Sequence, residues 1–224
     1  MSLARYLLRR HRLIFGIYWG IMLLVLAALV TSLKVFGLWI VEAERASAWA
    51  LAANVAPGWF VFVIGIILAS VYLPVGIAHG ITRRDFAIGA GLFAVATSVL
   101  FELMKIAGQL LEALAYNMFG IMEEIAEPYP WPTAGGALTE VLGYLGFMCS
   151  GWLSALIFYR MRIWWALLVA PFAAIPLSGG MEFISTETDW SHKPHWSFIT
   201  LIVAGSVVAA YLAVRGLALK PKKT

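Results

Sequence analysis

The stretch Gly76-Ile77-Ala78-His79-Gly80-Ile81-Thr82-Arg83-Arg84-Asp85-Phe86 decides how this chain is read. It is a short basic turn held between two long apolar runs. On its N-terminal side, residues 57–78 carry no charge, and on its C-terminal side residues 86–101 carry none. A helix needs about 20 apolar residues to cross a bilayer core. Two such runs joined by a short polar turn therefore read as a pair of membrane helices. The composition agrees: 62% of the 224 residues are hydrophobic and 12% are charged, against about 45–50% and about 25% in soluble domains. Mean hydropathy is +0.87.

Working outward, six segments qualify as spans: residues 13–36, 57–78, 86–106, 137–159, 163–180 and 196–214. Unpaired backbone groups are too costly in lipid for open structures, and the runs are too uniform for barrel strands. The expected fold is all-α, a polytopic bundle of six transmembrane helices with both termini cytoplasmic. Residues 1–12 form a basic N-terminal segment, read either as a charged flank or as a short helix on the inner leaflet. Residues 13–215 hold the six-helix domain, and 216–224 are a basic cytoplasmic tail.

Charge sets the orientation. Arg5, Arg9, Arg10, Arg12, Arg83, Arg84, Arg160, Arg162, Arg215, Lys220, Lys222 and Lys223 fall on one side. They are twelve of the 16 basic residues. Lys34, Arg45, Lys105 and Lys193 fall on the other, with every acidic residue except Asp85. The positive-inside rule makes the richer side cytoplasmic. The net charge of +4 is thus explained by topology, and nucleic acid is not an expected partner; membrane lipid is.

The third span is expected to continue outward as an amphipathic helix. Glu102, Lys105, Gln109 and Glu112 recur at helical spacing on one face. Glu102 and Lys105 are spaced to pair with each other, as an intramembrane pair or along a pathway; Gln109 and Glu112 are expected in solvent. Pro74 should kink the second span near its inner end. Gly89 and Gly91, and Gly143 and Gly146, are expected where helices approach closely. Gly80 should end one helix and Thr82 cap the next, with Asp85 in its first turn.

The layout resembles the membrane subunit of type-2 ABC transporters, the small six-span permeases of bacterial exporters. The likeness lies in the six-span, both-ends-in arrangement, the long outer segment and the run Gly80-Ile81-Thr82-Arg83-Arg84-Asp85-Phe86. Permeases of that family often carry a small, apolar, Ser/Thr, Arg, Arg/Lys, acidic, aromatic run there. The resemblance implies a bacterial plasma-membrane protein whose span 2–3 loop is a coupling helix. His79, Gly80, Thr82, Arg83, Arg84, Asp85 and Phe86 would then contact a separate ATP-binding subunit. That subunit would bring ATP and Mg, and two permease chains, identical or different, would enclose the pathway. The exported substrate would be hydrophobic or amphipathic.

The chain has no Gly-x-x-x-x-Gly-Lys-Ser/Thr phosphate loop, so no enzyme activity and no cofactor of its own are expected. Met148-Cys149-Ser150-Gly151 lacks the first glycine of the rhomboid protease motif, and no later span supplies a histidine to activate Ser150. Glu123-Glu124, His192 and His195 do not make a metal site. Cys149, the single cysteine, rules out an intrachain disulfide. The alternative function is a six-span protein with an accessory, structural or sensory role.

Overall fold

A computed structural model describes residues 3–36, 47–123 and 129–166, with isolated positions at 205 and 208. Among them the chain is helical without strands. The helices are α1 (Leu3–Phe36), α2 (Ala48–Ala53), α3 (Ala56–Ile67), α4 (Leu73–Ala78), α5 (Arg83–Phe119) and α6 (Ala134–Arg160). A π-helical turn, Leu68–Tyr72, joins α3 to α4, and a 3-10 turn covers Ile121–Glu123. Four helical stretches are long and apolar enough to cross a membrane: Leu3–Val35, Ala56–Ala78, Arg83–Phe119 and Ala134–Tyr159. The protein therefore has the architecture of an integral membrane protein. The expected fifth and sixth spans lie outside the described residues, apart from the helical start at 163–166 and the helical positions 205 and 208.

α1 and α5 run side by side in the same direction. Leu3 covers Gly89, His11 meets Phe93 at a ring separation of 5.4 Å, and Phe15 and Trp19 meet Phe101 at 5.4 and 5.2 Å. At the far end Lys34 Nζ donates to the Phe119 carbonyl at 2.8 Å. An ammonium on the last carbonyls of a helix also suits its dipole. With the α3–α4 stretch returning between them, the chain crosses back and forth. Arg5 to Arg12, Arg83, Arg84 and the end of α6 at Arg160 consequently gather at one pole of the bundle.

The first twelve residues do not form a separate helix. Leu3 to Phe36 is one continuous α-helix. Leu7 and His11 are fully buried, at 0% and 1% exposure, while Arg5, Arg10 and Arg12 on the same turns face outward. Arginines thus share a helix with core residues because their long stems hold the charge clear of the packed side.

The tightest crossing joins α3 and α6. A Cβ on Gly65 would lie 2.2 Å from the Met148 carbonyl oxygen, and one on Gly151 would lie 2.0 Å from that of Phe62. Backbone meets backbone on both sides, as small residues permit in membranes. Of the glycines expected at close contacts, Gly89 is covered by Leu3, but Gly91 and Gly143 have nothing within 4 Å. At Pro74, where a kink is expected, the structure shows a π turn over Leu68–Tyr72 just before it. Proline cannot donate to the residue four back and its ring crowds that carbonyl; widening the preceding turn accommodates it.

Candidate functional site

The turn between α4 and α5 is a two-sided lock. α4 ends at His79, and Gly80 takes φ +83°, a left-handed conformation that glycine adopts without strain. Gly80 N–H donates to the Ile77 carbonyl and Ile81 N–H to that of Gly76, both at 3.0 Å. This is the paired bonding of a Schellman stop. α5 then starts at once. Thr82 Oγ1 accepts from the Asp85 N–H at 3.1 Å and donates to Asp85 Oδ2 at 2.7 Å. A cap hydroxyl and a carboxylate in the first turn both satisfy the helix N-terminus.

The exposed tip comprises His79, Gly80, Thr82, Arg84 and Asp85, with Arg83 half-buried. Arg83 and Arg84 belong to the first turn of α5 itself; there is no separate short helix between the two spans. Phe86 faces inward at 0% exposure and meets Trp152 of α6 edge-on, centroids 6.3 Å apart. It supports the tip from beneath and offers no surface to a partner.

Glu102 and Lys105 are brought close, but the pairing differs from the expectation. Lys105 Nζ bonds Glu140 Oε1 of α6 at 2.6 Å, clamping α5 to α6. Glu102 is 6% exposed, and its Oε2 has no hydrogen-bond partner among the described residues. Glu140 was not among the expected site residues. It lies 35 positions from Lys105, beyond the reach of any local spacing rule.

Glu112, expected in solvent, is fully buried. Its Oε1 accepts from the Trp49 N–H at 2.7 Å. Its Oε2 accepts from Ser47 Oγ–H at 2.6 Å and lies 2.8 Å from the Tyr129 hydroxyl. Tyr129 O–H is equally close to the Gln109 carbonyl. Gln109 Nε2 in turn donates to the Pro130 carbonyl. Burial, reinforced by the Glu112 charge, pushes the Tyr129 phenol well above its usual range, so it remains a donor. The C-terminal half of α5 therefore has its polar face inward. Leu103, Leu110, Leu111 and Leu114 face outward, each about half exposed. That is the polarity of a surface facing lipid or other apolar groups, the reverse of a helix in water.

Comparison with known protein families, with characterised proteins and with solved structures finds no match to this chain. Its function is argued from the arrangement alone.

Proposed function

We propose that the chain is the membrane-spanning permease subunit of an ATP-driven exporter of hydrophobic or amphipathic substrates. In this reading it has six spans with both termini in the cytoplasm of a bacterial cell. It pairs with a second permease chain and docks a separate ATP-binding subunit, which carries ATP and Mg, through the turn at His79–Asp85.

One observation carries the reading. The turn is bonded at both ends and presents Arg84 and Asp85 at the arginine-rich pole of the bundle. Arginine donors suit carboxylates and carbonyls on a partner. A contact there would move α5 as a rigid element, the kind of shift by which closure elsewhere becomes helix displacement. Apolar outward faces would suit substrates of matching character.

The test has two arms. An adjacent reading frame should encode a protein with a Walker phosphate loop, and that protein should co-purify with this chain and be lost when Arg83, Arg84 and Asp85 are replaced by alanine. A cysteine introduced by Arg84→Cys should react with impermeant reagents only from the cytoplasmic side. Reaction from outside would reverse the orientation and end the proposal.

A further inference from the structure

The four described spans meet around Phe101. Its ring lies 5.4 Å from Phe15 and 5.2 Å from Trp19 of α1, 5.7 Å from Phe60 of α3 and 6.2 Å from Tyr144 of α6. The next residue, Glu102, is more than nine-tenths buried at this junction, and its Oε2 is unpartnered among the described residues.

Among the described residues the charges around it do not balance. The titratable groups facing it are Lys105 from its own helix, Glu140 and Tyr144 from α6, and, beyond Tyr144, Tyr18 of α1. Phe60, the α3 residue at the junction, does not titrate. Lys105 is already engaged by Glu140 at 2.6 Å. Two carboxylates and one ammonium leave one negative charge uncompensated. Ionisable groups at membrane depth face the interior and are paired, and an isolated buried charge is neutralised in practice. On the side chains that ring this junction, three of the further buried polar atoms without a partner among the described residues are Tyr18 OH, Trp19 Nε1 and Tyr144 OH. Tyrosine hydroxyls both give and accept, so they suit either state of a carboxyl.

We propose that Glu102 is a proton-binding site at the junction of the four spans. The step is simple: a proton adds to the Glu102 carboxylate, one O–H bond forms, and no electrons are transferred. While the proton is bound, Lys105 remains with Glu140. When it leaves, Lys105 has a second carboxylate one turn away on its own helix, in competition with the clamp to α6. This inference is independent of the inner turn, and substitutions at Glu102 leave that turn untouched.

The experiment uses the full chain in lipid nanodiscs and infrared difference spectroscopy during an alkaline titration. A protonated-carboxyl stretch should be present in wild type and disappear as pH rises. Glu102→Gln should abolish it. Glu112→Gln should keep it, because Glu112 is already satisfied by three donors. Glu140→Gln should move its titration to lower pH, since Lys105 is then released to Glu102. Absence of the band in wild type, or its survival in Glu102→Gln, overturns the proposal. A band seen only when sodium is withheld would assign a metal cation instead and overturn it equally. A hydrophobic carbodiimide, which attacks protonated carboxyls, should modify Glu102 in wild type, located by peptide mass spectrometry. No adduct there refutes the site even where Glu102→Gln does not fold.

Discussion

Replacing Glu112 by alanine tests the most connected side chain of the outer half. The change removes the acceptor of the Ser47 hydroxyl, the Trp49 N–H and the Tyr129 hydroxyl, at 2.6, 2.7 and 2.8 Å. Ser47 and Trp49 are 2% and 1% exposed, so water reaches them poorly. Tyr129 retains the Gln109 carbonyl at 2.8 Å and should lose little. Two donors are then stranded. A hydrogen bond to a charged group is worth about 1.5–3 kcal/mol, and two of them are lost here. We expect a loss of about 3–5 kcal/mol. At about 2–4 °C per kcal/mol for a chain of this size, the melting temperature should fall by roughly 10 °C. The assay is size-exclusion chromatography of detergent-solubilised protein after heating. Ser47→Ala should cost less, and the Ser47→Ala/Glu112→Ala double variant should fall short of the sum, since both remove the same bond. A drop of under about 2 °C for Glu112→Ala refutes the clasp.

The glycines separate by sign. Gly65→Ala and Gly151→Ala would each drive a Cβ against a backbone carbonyl at 2.2 and 2.0 Å, so both should destabilise by about 1–3 kcal/mol or more in the same heating assay. Gly91→Ala and Gly143→Ala meet open space and should stabilise by about 0.5–1 kcal/mol, the helix gain of alanine over glycine; a loss there would show that these faces are packed. At the inner turn, Thr82→Ala should cost about 1 kcal/mol. Gly80→Ala should cost about 1–2 kcal/mol, because φ +83° is left-handed. Faster amide exchange at Asp85 and Ile81 would be the local signature of each, and unchanged exchange would contradict the two-sided lock.

Sequence carried the local features and missed the distant ones. The apolar runs placed four helices, and Gly80, Thr82 and Asp85 announced the turn, because each acts on neighbours within four residues. Glu112 was misjudged because its partners Ser47 and Trp49 lie 65 and 63 positions away. Periodicity showed that Glu102, Lys105, Gln109 and Glu112 share a face, but not whether that face meets water or protein. Lys105 had two carboxylates within reach, and only the packing of α6 chose Glu140. Likewise, paired glycines suggested close contact, yet the tight crossing falls on lone Gly65 and Gly151. Where two helices touch depends on their crossing angle and register, which neither sequence states alone. Residues 1–12 fit a charged flank or a short interfacial helix equally well, because only the packing shows that Leu7 and His11 continue the buried face of the span.

The two carboxylate clusters and the inner turn sit on one helix, and this has a mechanical consequence. α5 is unbroken over 37 residues, about 55 Å at 1.5 Å per residue. The helix before the turn is different: its π turn at Leu68–Tyr72 is a local irregularity where bending is easier. A displacement of the turn would therefore be absorbed on the α3–α4 side and transmitted along α5. Moving α5 along its axis must act on the Lys105–Glu140 clamp, because α6 is held to α3 by backbone contact at Gly65 and Gly151 and cannot follow freely. Two variants separate this path from simple stability. Glu140→Gln breaks the clamp while leaving the turn intact; if the proposed exporter function holds, it should preserve docking of the partner yet uncouple ATP hydrolysis from transport in proteoliposomes. Thr82→Ala loosens the origin of the movement and should lower both together. If Glu140→Gln leaves hydrolysis and transport coupled as in wild type, force does not pass along α5 through this clamp.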